Sequence, residues 1–430
     1  MQCQRKGKQT YEKEKVKQAI EEADRLMIFR AAYLVAGTDT IISDGAMQVE
    51  DGHVRVVGAY SELNQKFPQA ETIHFPNAVI LPGLINAHCH LELSLLKGKL
   101  PPGPDFAGWV KQLVELRKHW NKNTFKYSMS KGLDEVIKSG TTTLVDISAQ
   151  HVYEPLLKSP IRVVECFETY ALNAEVAAKQ AAIVEDLLRY VEGSDLLQIG
   201  ISPHAPYTVS PELYRLCFEL SEKYQCLLTT HLAETPAESE FLQSLGGPLR
   251  QLYDALGYDL SKSTAPGLRP SAYALDQAEK ITQPILLAHG NYFDEADFPL
   301  LKQKNAAVVY CPRCHEFFGH SEHPFKKLLA AGIPVCLGTD SLASNDSLSL
   351  RDEIDFLLRR YPAEDPGLFW KMATEYGAQA MGRGHELGKL QAGYLADFGV
   401  YAYAGDTFAY DGIGKLLGSF VGGKEIMASF

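Results

Sequence analysis

Between residues 78 and 340 the chain runs eight times through one pattern, a short apolar, β-branched run followed by a longer amphipathic stretch. The runs open as Ala78-Val-Ile-Leu-Pro-Gly-Leu-Ile-Asn, Thr143-Leu-Val-Asp-Ile, Arg162-Val-Val-Glu-Cys-Phe-Glu and Leu197-Gln-Ile-Gly-Ile-Ser. They continue with Cys226-Leu-Leu-Thr-Thr-His, Pro284-Ile-Leu-Leu-Ala-His, Ala306-Ala-Val-Val-Tyr-Cys and Pro334-Val-Cys-Leu-Gly-Thr-Asp. Helical periodicity fills the intervals, as over 174–191 and 211–224. Near-continuous apolar strands between helices imply a parallel sheet covered on both faces, an α/β fold. Eight such units over about 300 residues suit a closed (β/α)8 barrel. An open doubly wound sheet is the other arrangement this periodicity allows. Its nucleotide-cofactor forms lose support, because no G-x-G-x-x-G or Walker motif follows an early strand.

The flanks read differently. Residues 28–80 carry short alternating strands with turn signals, as in Gly45-Ala-Met-Gln-Val-Glu-Asp-Gly-His-Val-Arg-Val-Val-Gly, and residues 387–430 do likewise. The simplest arrangement is one small β-sandwich domain built from both chain ends, around a barrel over 81–386. Residues 1–27 form an extension, and the Lys-, Glu- and Gln-rich stretch 1–26 reads as a solvated helix or frayed end. The 46% hydrophobic content over 430 residues is ample for a large core and a satellite domain.

With a formal charge of −11, a nucleic-acid or anionic-membrane partner has little electrostatic support, which leaves a small-molecule substrate. No membrane-length apolar run and no secretory signal are visible. The eight cysteines lack a disulfide framework and read as reduced thiols, so a cytoplasmic location is expected.

Ligand-type residues gather at the ends of the expected strands. His88 and His90 stand two apart at the end of the first, so both imidazoles face the same way and can converge on one metal. His231 closes the fifth strand, His289 the sixth and Asp340 the eighth. Active-site groups of a barrel come from the C-terminal ends of several strands. Singly, each could be a hydrogen-bonded structural histidine or a helix-capping aspartate; together they point to a metal centre. Glu234, three residues after His231, can face substrate as a proton shuttle without binding the metal. Its other reading is a first-turn helix carboxylate favoured by the macrodipole.

These segments carry a resemblance. Ile80-Leu-Pro-Gly-Leu-Ile-Asn-Ala-His-Cys-His resembles the opening signature of the amidohydrolase superfamily. His231-Leu-Ala-Glu, Ala288-His289-Gly and Leu337-Gly-Thr-Asp340 resemble its fifth-, sixth- and eighth-strand motifs. Leu387-Gly-Lys-Leu-Gln-Ala-Gly-Tyr-Leu-Ala-Asp397 resembles the segment by which the family re-enters its β-sandwich. Within the superfamily, His-x-x-Glu on strand five marks the cytosine-deaminase-like and chlorohydrolase branch. Binuclear members carry a carboxylated lysine at strand four, whereas Gln198-Ile-Gly-Ile-Ser-Pro-His has none, so one divalent metal is expected.

The resemblance assigns His88, His90, His231 and Asp340 as metal ligands, and Glu234, His289 and Asp340 to catalysis. Zinc suits three nitrogens and a carboxylate, with iron or manganese as alternatives. The reaction it implies is hydrolytic loss of an amine from a heterocycle: Asp340 and His289 orient water and take its proton, and Glu234 protonates the ring nitrogen.

The expected substrate contacts are His204, Trp109, Glu168 and Arg313, each with the alternative of an ordinary barrel-mouth residue; His315 is another such residue. Ser202-Pro-His204-Ala-Pro-Tyr resembles the fourth-strand segment of purine-type deaminases. Asn86-Ala-His-Cys-His-Leu-Glu-Leu-Ser and Gly338-Thr-Asp-Ser-Leu-Ala-Ser-Asn-Asp resemble deaminases of 6-amino-6-deoxyfutalosine, an adenosine-like menaquinone precursor. Deaminases of S-adenosylhomocysteine and methylthioadenosine carry a ribose-holding glutamate nine residues after the loop tryptophan; from Trp109 that position is Lys118, with Glu115 nearby. Guanine deaminase, triazine-type chlorohydrolase and a non-catalytic scaffold are the other readings. A homodimer is compatible with the resemblance. Cys311-Pro-Arg-Cys314 is too little for a structural zinc site and reads as barrel-end packing or pocket residues.

Overall fold

The computed structural model describes residues 26–261, 263–279 and 281–428. The charged stretch 1–26 therefore lies outside the described residues, apart from Leu26. Two compact units emerge, one from the described residues up to Gly83 together with those from Lys389 on, the other from Leu84–Gly388.

The first unit is a single eight-stranded sheet. Its N-terminal strands are β1 (Met27–Gly37), β2 (Thr40–Ser43), β3 (Gly45–Glu50), β4 (His53–Ala59) and β5 (Glu71–Pro82). The second unit contributes β6 (Leu84–Cys89), β7 (Thr141–Ser148), β8 (Arg162–Thr169), β9 (Leu197–Pro203), β10 (Leu228–Leu232), β11 (Ile285–His289), β12 (Ala306–Tyr310) and β13 (Val335–Leu337). The chain then returns to the first sheet with β14 (Phe398–Ala402), β15 (Leu416–Val421) and β16 (Lys424–Ala428). The order there is β16-β15-β14-β5-β1-β3-β4, with β2 also paired to β1. β15 is three strands from β1, about 14 Å away in a flat sheet. Yet the rings of Phe29 and Phe420 lie 5.4 Å apart, so the sheet coils over its own apolar face. Phe29, Leu34, Met47, Phe75, Ile80 and Phe398 fill the enclosed core.

In the second unit the strands run in sequence order from β6 to β13, and every pairing among the described residues is parallel. A bridge between Cys89 and Asp340 brings the two edges together, backed by Thr339 N–H and Asp340 N–H donating to His88 O, each at 3.1 Å. Gly338 permits this approach: a Cβ there would meet His88 Cβ at 2.8 Å and Cys311 Sγ at 3.0 Å. The intervening helices carry their own start signals. Asn173 caps helix Ala174–Tyr190 through Val176 N–H, and Ala177, Ala181 and Val184 form its buried stripe. Ser210 caps helix Pro211–Tyr224, with Pro211 at the first turn.

One sequence expectation changes. The run opening at Ala78 is two strands in two sheets: Ala78–Pro82 ends β5, and Leu84–Cys89 is β6, the first barrel strand. An apolar run records burial, and it stays buried across Gly83 while the backbone changes sheets. Among the described residues no helix is long and apolar enough to cross a membrane.

Candidate active site

His88 lies on β6 and His90 directly follows it, as the two-residue spacing requires. His231 comes from β10, His289 ends β11 and Asp340 follows β13. Ring centroids of His88, His90 and His231 are 4.9–5.2 Å apart, and Asp340 Oδ1 is 3.8 Å from Nε2 of both His88 and His90. Four strand ends thus converge on one point. His289 and Asp340 hold left-handed backbone conformations, with φ of 71° and 56°. Side chains other than glycine adopt such φ values at a cost, and they persist where the surroundings enforce them.

The chemistry of this donor set fits a cation. His231 Nδ1 donates to His204 O at 3.0 Å, so its Nε2 carries the lone pair. His90 is hydrogen-bonded to the Ile147 backbone. The Nε2 atoms of His90 and His231 face each other at 3.1 Å. Two lone pairs at that separation repel unless a positive charge lies between them. Among the described residues, neither ring nitrogen of His88, which is 0% exposed, has a hydrogen-bond partner. Burial pushes all four histidines below the usual imidazole range, and neighbouring imidazoles push further. They are therefore neutral at pH 7, the form that binds metal. One ligand atom each from His88, His90 and His231 falls within a 4.8 Å cluster.

Outer contacts fix the ligands. Asp340 Oδ2 accepts from Ser344 Oγ at 2.6 Å and from Cys314 Sγ at 2.8 Å, which leaves Oδ1 toward the histidines. Cys314, expected as a barrel-end packing or pocket residue, touches a candidate ligand. His323 Nε2 donates to His289 O at 2.8 Å. Glu234 is buried, and its Oε1 lies 3.5 Å from His289 Nε2. Burial, reinforced by the Asp340 charge, raises its carboxyl well above the usual range. The buried Glu238 carboxylate accepts from Ala233 N–H and Glu234 N–H, and Asn291 donates to Glu234 O at 2.9 Å. The Glu234 backbone is pinned while its carboxyl projects.

The expected substrate residues divide. Glu168 and His204 stand beside His231, and these three form a second cluster of ligand-type atoms. His204 Nδ1 meets Thr208 Oγ1 at 2.6 Å, and burial followed by the Arg117 charge lowers its pKa to about 4. Trp109 is half-buried against Phe106 and Phe318, with Nε1 donating to Ala343 O at 3.4 Å. Arg313 is instead engaged by Asp346 and Asp352. His315 packs on Tyr310 and His320, its Nε2 without a hydrogen-bond partner among the described residues. Lys118 and Glu115 are both exposed and pair with each other at 3.5 Å.

Sequence reasoning missed Glu238, Asn291, Ser344 and Arg117. Ser344 and Glu238 each sit four residues beyond a candidate, a weak signal; Asn291 and Arg117 carried none.

Comparison with known proteins agrees with this geometry. A family model described as the amidohydrolase family matches residues 79–425. The chain is 29% identical over 386 residues to the 5-methylthioadenosine/S-adenosylhomocysteine deaminase of Pyrococcus furiosus, covering 86% of this chain and 85% of that protein. It is also 29% identical over 334 residues to the 5'-deoxyadenosine deaminase of Methanoregula boonei, covering 74% and 70%. Among solved structures, the aminofutalosine deaminase of Helicobacter pylori in complex with methylthio-coformycin superposes with a TM-score of 0.81 at 24% identity, covering 93% of this chain and all of that one.

Proposed function

Because the chain belongs to the amidohydrolase family, we propose that it is a metal-dependent hydrolase that removes the exocyclic amine of a purine nucleoside-like substrate. The carrying observation is the Glu234–His289 contact of 3.5 Å beside the histidine cluster. Burial favours the protonated carboxyl on one side of this contact and the neutral imidazole on the other. The relatives that span most of the chain and are named as deaminases of adenosine-type compounds support the substrate class.

His88, His90, His231 and Asp340 are the residues that would hold the metal, with zinc suited to them. When bound, such a cation supplies hydroxide near neutral pH by lowering the pKa of water from about 16 toward 7. Asp340 and His289 orient the attacking water and accept its proton. The acid form of Glu234 gives a proton to the ring nitrogen next to the reacting carbon. A proton returned to the amine lets ammonia leave, so water and the aminoheterocycle become the oxo-heterocycle and ammonia. His204 and Glu168 line the side where the heterocycle and its substituent rest. Within this class the finer assignment is 6-amino-6-deoxyfutalosine or another adenosine analogue.

The test is ammonia release by zinc-loaded protein from aminodeoxyfutalosine, adenosine, methylthioadenosine, S-adenosylhomocysteine, guanine and cytosine. A kcat/KM of about 10⁴ M⁻¹s⁻¹ or more on an adenosine-type compound supports the proposal. Turnover of guanine or cytosine alone moves the substrate class, and silence across the panel removes it.

A further inference from the structure

Glu168 lies near the end of β8 and is 8% exposed. Among the described residues its Oε1 is buried without a hydrogen-bond partner. Buried polar groups in native proteins find partners, so an orphan beside a site calls for a ligand, an ion or ordered solvent. The protein offers it no proton from the nearby imidazole: His231 Nδ1 is 4.0 Å away and donates instead to His204 O.

His204 supplies a lone pair next to this carboxyl. Its N–H donates to Thr169 O at 3.0 Å, which locks it beside the end of β8. Thr208 Oγ1 gives its single proton to Ala205 O at 3.1 Å, so it accepts from His204 Nδ1 at 2.6 Å. The His204 lone pair is therefore on Nε2. One ligand-type atom each from Glu168, His204 and His231 falls within 4.8 Å of the others. His231 cannot serve twice, because its Nε2 faces His90 at 3.1 Å and its Nδ1 carries the proton given to His204 O. The two groupings thus adjoin through one imidazole, with the catalytic cluster at its Nε2 and Glu168 off its Nδ1.

We propose that the Glu168 carboxylate and His204 Nε2 form a second, weaker divalent-cation site beside the catalytic one, through which excess zinc shuts out the substrate. A nitrogen and a carboxylate suit zinc or a neighbouring transition metal better than magnesium, which takes oxygen ligands. Two features keep it weaker than the four-ligand centre. Solvent must complete the coordination shell, and the Arg117 charge acts on both residues against a second cation. His204 and Glu168 also line the side assigned to the heterocycle and its substituent, so cation and substrate exclude one another. That exclusion rests on the deaminase reading of the same site, whereas the cation site does not.

Equilibrium dialysis against zinc reads the site without any turnover. The parent is expected to bind a tight equivalent and a weaker one. Glu168→Gln and His204→Gln should each lose the weaker equivalent and keep the tight one. A single equivalent in the parent up to about 0.1 mM free zinc, or a second that survives in both variants, overturns the site. If a ligand variant also loses the tight equivalent, Thr208→Val replaces it, since that change frees the His204 tautomer and removes neither ligand. The weaker equivalent should then bind less tightly, and unchanged affinity overturns the site. Turnover of adenosine by the parent tests the exclusion: excess zinc should raise the apparent KM in proportion to its concentration and leave kcat unchanged. A fall in kcat with KM unchanged overturns it. If adenosine yields no ammonia, the deaminase reading fails for that compound, while dialysis still decides the cation site.

Discussion

Glu234 and His289 meet at 3.5 Å from the ends of adjacent strands, each with its ionisation driven the opposite way by the same burial. The carboxyl is raised and the imidazole lowered, so burial favours the uncharged form of each. A proton can therefore be given on one side of the site and taken on the other without a buried unpaired charge.

Glu234→Gln keeps the shape of this contact and removes the transferable proton. Turnover is expected to fall by about 10²–10⁴-fold with metal content unchanged. Steady-state ammonia release together with metal analysis checks this, and loss of metal in the variant would instead place Glu234 among the ligands.

Metal should stabilise the fold through the histidine cluster. At a free zinc concentration about 1,000 times Kd, linkage adds about 4 kcal/mol to the parent. Thermal melts with zinc and with a chelator should differ for the parent and coincide for His88→Ala. A shift that persists in that variant would locate the bound ion elsewhere.

Ser344 holds the far oxygen of Asp340 at 2.6 Å. Ser344→Ala is expected to weaken metal binding about 10–100-fold, because Asp340 loses one of its orienting donors. Competition with a chromophoric chelator measures this, and unchanged affinity would show that the Cys314 thiol and the Ser341 backbone suffice.

Glu165 on β8 is the cross-strand partner of Asp146 on β7, and its buried carboxyl is hydrogen-bonded to that of Asp146. Burial, with Asp146 alongside, raises its pKa well above the usual carboxyl range. A raised folded pKa stabilises fully below the unfolded value, and that contribution is lost as pH rises toward the folded one. Glu165→Gln, always neutral, should lessen the fall in stability as pH rises above about 5 by up to about 1.4 kcal/mol per pH unit. Urea unfolding at several pH values is the check, and parallel pH profiles would mean that Glu165 is ionised in the folded protein.

Gly338→Ala places a Cβ 2.8 Å from His88 Cβ and 2.9 Å from Val309 Cγ1, neither of which is the end of a flexible chain. A loss of about 1–3 kcal/mol in stability is expected, together with weaker metal binding. Unfolding and metal titration on the same variant test both effects.

The sequence by itself determined the alternation of strands and helices, because burial on both faces of a parallel sheet imposes apolar runs that any local window can see. It also determined the candidate site at strand ends: His88 and His90 share a face through the two-residue period, and His231, His289 and Asp340 each close a run. Tertiary structure alone decided which side chains those residues meet. Ser344 and Cys314 become partners of Asp340, and His323 of His289, only because separate loops after the strands come together. Arg117 rather than Lys118 acts on the histidines and Glu168, since helix phase and not distance along the chain sets the inward direction. The change of sheet at Gly83 was invisible for a related reason: hydrophobicity reports that a residue is buried, while the identity of what buries it depends on residues hundreds of positions away.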